Sequence, residues 1–156
     1  MVAVILLSFA KSHLPELVIG RWRQRLENLY PAMRDIVELL RERSMERFEA
    51  RGGGDWPPLA DSTRRWKARR GYTDPLVNTA SLKNSVDGKA FRRSAFMFAA
   101  GPAARIHQFG GMAGRGHKVK IPARPYLVVD DRARRAIGQV INDYVAARRA
   151  ATRIRF

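Results

Sequence analysis

The chain has 156 residues, no cysteine, and 30 Lys or Arg against 14 Asp or Glu, for a formal net charge of +16. That length supports one domain with a core burying roughly 70% of the unfolded surface, and a hydrophobic fraction of 46% with 28% charged residues excludes a disordered composition. The missing cysteines exclude disulfides, thiolate chemistry and Cys-based zinc sites.

The positive charge is unevenly placed. Residues 1–78 carry 14 basic and 10 acidic side chains, a net of +4, whereas residues 79–156 carry 16 and 4, a net of +12. Such a field attracts polyanions and steers their approach. It equally suits an acidic protein surface, and the dominance of Arg over Lys fits bidentate pairing with carboxylates. Charge alone leaves DNA and acidic protein both open.

Residues 1–50 read as the helical N-terminal part of a single domain. The opening "MVAVILLSFAKS" imitates a signal-peptide core but lacks a positive n-region, and its apolar run falls short of the ~20 residues that span a bilayer. It is expected to be a buried strand or helix lead-in of a soluble cytosolic chain, with no membrane contact. Leu14, Leu17, Val18, Trp22, Leu26 and Leu29 then share one helical stripe. The clearest helix covers 31–50. Met33, Ile36, Val37, Leu40, Ser44 and Phe48 line one face, Glu and Arg alternate opposite, and Gly52, Gly53 and Gly54 stop it.

Residues 51–90 change character. Pro57, Pro58, Gly71 and Pro75 forbid a continuous helix and predict an extended, loop-rich region. Within it "ADSTRRWKARRG" is compatible with a short basic helix capped by Asp61 or Ser62, and "TASLKNSV" with a further helical turn entering a strand. Residues 91–129 are expected to hold a small antiparallel β-sheet. Its strands would be the aromatic "AFRRSAFMFAAG", "VKIPA" and "YLVV", around a basic hairpin loop. Residues 130–147 form the closing helix, opened by Asp130 and Asp131 at its positive dipole end, with Ala133, Ile137, Val140, Ile141, Tyr144 and Val145 as its stripe. A basic tail, 148–156, ends the chain. The class is α+β, with the C-terminal helix expected to pack on the sheet.

The stretch "RIHQFGGMAGRGHKVKIPARPYL", residues 105–127, gathers most of the motif-like residues. His107 and His117 stand ten apart with no carboxylate between 88 and 129, too few ligands for zinc. A Ser94–His107 pair has no acid beside it to orient the imidazole. The glycines precede a Pro-broken strand instead of a helix, so "GGMAGRG" is no phosphate loop. No catalytic residue, metal site or cofactor is therefore expected.

What remains is a docking element. "IHQFG" (Ile106, His107, Gln108, Phe109, Gly110) and "IPARPYL" (Pro122, Arg124, Pro125, Tyr126, Leu127) are rigid ends. Between them lies a cationic tip with Arg115, His117, Lys118 and Lys120 as candidate polyanion contacts. His107 and Gln108 are expected as polar interface or loop-fixing contacts and Arg124 as an ion-pair anchor. Trp56, Pro57, Pro58 and Leu59 form a second candidate assembly segment. Trp66, between Arg65 and Lys67, fits an interface, where Trp and Arg are enriched.

The order Phe48-x-x-x-Gly52, "GGDWPPL", Thr63 with Lys67, "PLVNTASLKNS", "IHQFG", a basic loop and "IPARPYL" resembles the phage virion morphogenesis family. That is the tail-completion group of Mu-like and P2-like phages, more distantly similar to neck proteins of long-tailed phages. Where that family usually has Thr-Gly before the Leu of "SLKNS", Ala80 stands here. The resemblance implies a non-enzymatic virion protein at the head–tail junction, made in the host cytoplasm and assembling as a homo-oligomeric ring. It also implies contacts with other neck and tail proteins (tail terminator, head connector or tail tube) and proximity to genomic DNA. A DNA-binding role for the basic half is the alternative.

Overall fold

The computed structural model describes residues 23, 25–72, 75–76 and 80–146. The apolar start, most of the 14–29 stripe and the basic tail lie outside the described residues. Two compact units emerge: Arg41–Asp87 with Phe98–Val128 in one, and the described residues up to Leu40 with Gly88–Met97 and those from Val129 in the other.

Helix α1, Tyr30–Glu49, follows the sequence periodicity closely. Ala32, Met33, Ile36, Leu40, Ser44 and Phe48 are buried, and Leu39 widens the stripe. The Asn28 side chain accepts from the Tyr30 N–H at 3.2 Å, meeting one donor that a helix start leaves unpaired. At the other end Gly52 takes φ +81, and a Cβ there would sit 2.3 Å from Trp56 Cγ. Only glycine both turns the chain at that point and lets the indole lie on the backbone.

Residues 51–90 are more structured than proline and glycine content suggests. A 3-10 turn (Arg51–Gly54) precedes α2 (Asp61–Ala68), α3 (Ser81–Asn84) and strand β1 (Val86–Ala90). The cap of α2 is Ala60 in place of Asp61 or Ser62, and it makes no side-chain bond. Ala80, before α3, has φ +57, the left-handed region that a Cβ disfavours.

The α+β class holds, but the described strands form two separate two-stranded sheets. β1 pairs with β2 (Ala95–Ala99) across a turn closed by Phe91 N–H to Ser94 C=O at 2.8 Å. Phe91 and Phe96 meet edge-on at 5.3 Å. β3 (Gly111–Ala113) and β4 (Val119–Ile121) are antiparallel, with Met112 opposite Lys120 and Ala113 opposite Val119.

Residues Pro102–Phe109, including most of "IHQFG", form helix α4, an element that the three expected strands of 91–129 did not include. Gly101 at φ +104, Pro102 at the first turn and Gly110 after the last make the Pro-in, Gly-out pattern of a helix. "YLVV" forms no strand. The closing helix, α5 (Asp131–Val145), begins as expected: Asp130 accepts from the Ala133 N–H at 2.7 Å, while Ala133 and Ile137 are buried. Among the described residues no helix is long and apolar enough to cross a membrane.

Ala80→Gly should relieve the left-handed strain before α3. The expected gain is about 0.5–1 kcal/mol, since the steric relief exceeds glycine's extra unfolded-state entropy, read as a higher urea midpoint at unchanged slope.

Candidate functional site

The sequence motifs meet in the unit built from 41–87 and 98–128. Phe48 leaves the last turn of α1 and packs edge-on against Trp56 at 5.9 Å and tilted against Tyr126 at 5.3 Å. All three rings are buried. The spacing Phe48, Gly52, Trp56 acquires a reason here: the glycine removes the side chain that would block the indole.

Around these rings the proline segment is held by donors from other elements. Pro122 and Pro125 have no N–H, so no neighbouring strand can pair the segment fully. Gln108, on α4, substitutes for such a strand. Its Oε1 accepts from the N–H groups of Tyr126 and Leu127, both at 3.1 Å, and its Nε2 donates to the Leu127 carbonyl at 2.8 Å. The Arg124 N–H donates to the His107 carbonyl at 2.7 Å. The Pro125 carbonyl accepts twice, from Trp56 Nε1 at 2.9 Å and Arg47 Nε at 2.8 Å. Arg47 continues to the Asp55 carboxylate at 2.9 Å.

Arg124 is 4% exposed. Instead of an ion pair it makes two charged hydrogen bonds to consecutive carbonyls, Nε to Pro57 at 3.0 Å and Nη2 to Pro58 at 2.9 Å. The two halves "WPPL" and "IPARPYL" are thereby tied to each other, with Trp56 and Arg124 crossing between them in opposite senses. Burial lowers the Arg124 pKa. Tyr126 donates its hydroxyl to the Ala104 carbonyl at 3.0 Å, and burial pushes its pKa up to about 12.

Lys67, the one buried residue of α2, and Arg124 both act on His107. Burial first, then the charge of Arg124, then that of Lys67, hold the imidazole below the ordinary histidine range. Its Nδ1 is buried without a hydrogen-bond partner. The protonated ring is therefore the unfavourable form here, and His107 can neither accept a proton readily nor find a carboxylate to orient it.

Gly110 closes the assembly. Its φ is +72, and a Cβ would stand 2.9 Å from Ala123 N and 3.1 Å from Ile121 O. "IHQFG" and "IPARPYL" are thus fastened side by side, with the β3–β4 hairpin emerging from the fastening. Arg115, His117, Lys118 and Lys120 are all exposed on it. Pro57 and Pro58 are exposed, Leu59 half-buried and Ile106 half-buried. Trp66 lies apart on the outer side of α2 with the Arg70 guanidinium 4.3 Å over its ring. Sequence reasoning missed Arg47 and Asp55; only the position of Arg47 beside Phe48, one turn before the glycines, hinted at a role.

Two outcomes test this lock. Gln108→Leu leaves two buried N–H groups and one carbonyl unpaired, so a loss of about 3 kcal/mol is expected by urea unfolding, whereas Phe109→Ser next to it should stay within about 0.5 kcal/mol. Because the folded His107 pKa lies below its ordinary 6.5, the unfolded chain binds the extra proton first. Stability should therefore fall as pH drops through 6.5 and level off below the folded value. His107→Leu should flatten that slope in thermal melts between pH 7 and 5.

No solved structure matches the chain. The Mu-like prophage FluMu G protein 2 of Haemophilus influenzae is 36% identical over 126 residues, covering 81% of this chain and 85% of that protein. The phage virion morphogenesis family matches residues 15–146, which take in the aromatic trio, the Gln108 and Arg124 contacts and the hairpin. The chain belongs to the phage virion morphogenesis family.

Proposed function

We propose that the protein is a structural component of the virion at the head–tail junction, acting in the neck or in tail completion without catalysis. It works by ring-like self-assembly and by docking to neighbouring proteins such as the tail terminator, head connector or tail tube, and it is made in the host cytoplasm. One observation supports this reading beyond the family match. Three polar motif side chains, Gln108, Arg124 and Tyr126, are engaged with main-chain carbonyls and N–H groups that fix the base of an exposed cationic hairpin. Held in this way, they serve presentation of a surface. Among the described residues no group of three or more His, Asp or Glu could hold a metal.

A second reading has its own support: the net +12 of residues 79–156 suits contact with the genome passing through the junction. Binding to a short DNA duplex that weakens steeply between low and moderate salt would favour it.

Deleting the gene from an inducible prophage is expected to abolish infectious particles while separate heads and tails accumulate under the electron microscope. Native mass spectrometry of the purified chain is expected to give a closed oligomer. Normal particle yield after deletion would overturn the assignment.

A further inference from the structure

Of the apolar side chains left in water, three fall within the segment 109–121. Phe109 at the end of α4 is 60% exposed, Met112 on β3 50% and Val119 on β4 54%. Paired residues of the hairpin share a face, so Met112 lies with Lys120 while Val119 lies with Ala113 on the other side. Both faces therefore carry an exposed apolar residue, and among the described residues no third strand joins this sheet. A two-stranded ribbon with three residues per strand is marginal alone. Here its root is fixed by Gly110 against Ala123 and by Arg124 N–H to the His107 carbonyl. Ordering this arm for binding thus costs little further conformational entropy.

Charge identifies what it meets. Arg115, Lys118 and Lys120 project from the arm, and no Asp or Glu occurs between residues 88 and 129. A second copy brings the same cations at this tip, so contact between two arms is disfavoured, and the self-assembly proposed above uses other surfaces of the chain. Tracking along phosphates would engage the cations but leave an apolar residue in water on at least one face. We infer that the segment Phe109–Ile121 is a preformed docking arm that inserts into an apolar slot on an acidic surface of a different virion protein. Phe109, Met112 and Val119 fill the slot, and Arg115, Lys118 and Lys120 close an ionic rim around it.

The inference rests on the virion reading, and one experiment separates the two. Heads and tails are purified from an induced prophage lacking this gene, and the full-length chain is titrated onto each by co-sedimentation. The parent is expected to bind one particle class with salt-sensitive affinity. Met112→Ser with Val119→Thr, and separately Lys118→Glu with Lys120→Glu, should each weaken binding roughly tenfold or more while the thermal midpoint of the free chain is unchanged. A photo-crosslinking residue at position 112 should join the chain to a protein of that particle. Variants that bind as the parent does would overturn the arm while leaving the virion reading intact. So would crosslinks only between copies of this chain, or an equal loss of binding to a 30-base-pair duplex with no loss on particles. A parent that binds neither heads nor tails would overturn both.

Discussion

A segment with two prolines three residues apart cannot complete a hydrogen-bond ladder, and much of this unit is organised around that deficit. Pro122 and Pro125 remove two donors while keeping their carbonyls. Each remaining polar group of 122–127 that lies inside must then be met individually. Gln108 supplies three of those bonds from a single side chain. Further bonds come from Trp56, Arg47 and the His107 carbonyl. Removing the amide leaves a buried deficit that no neighbouring backbone can fill, because the backbone nearby is already helical or proline.

The same constraint sets the electrostatics. A buried guanidinium usually requires a carboxylate, yet Arg124 is satisfied by two neutral carbonyls. Hydrogen bonds from a charged donor are roughly twice as strong as neutral ones, and carbonyls bring no second charge to desolvate. The site consequently stays positive, and a third basic group, His107, is kept neutral by burial and by Arg124 and Lys67. The positive interior and the positive hairpin are two expressions of one scarcity, the absence of acids from residue 88 to 129.

Much of this was legible in the sequence where a period or a cap is long enough to read. The stripe from Met33 to Phe48, and the Asp130–Asp131 pair with the apolar stripe after it, predicted α1 and α5 nearly to their ends. Helix α4 is also written there, as Gly101-Pro102 at one end and Gly110 at the other, though eight residues carry too short a period to stand out beside the glycine-rich loop that follows. The division into two sheets was not readable, since strands of three residues carry no period. Gln108 was expected among interface or loop-fixing contacts, but the strand-like partners of its amide were not readable, since they depend on distant residues meeting, which spacing along one chain does not encode. Ala80 shows the reverse case, in which a residue expected from the family's usual glycine proves to sit at the very φ that glycine tolerates best.

The direction of the bonds around the proline segment has an evolutionary consequence. The side chains of Trp56, Arg47, Arg124, Tyr126 and the Gln108 amide donate, and the acceptors are the carbonyls of residues 57, 58, 104, 125 and 127. A carbonyl survives every substitution of its own residue. Outward-facing positions such as Pro57 and Pro58 can therefore drift, one residue at a time, without breaking the bonds that pass through them. The donors have no such freedom. A scaffold wired in this way can be re-surfaced while its interior stays the same.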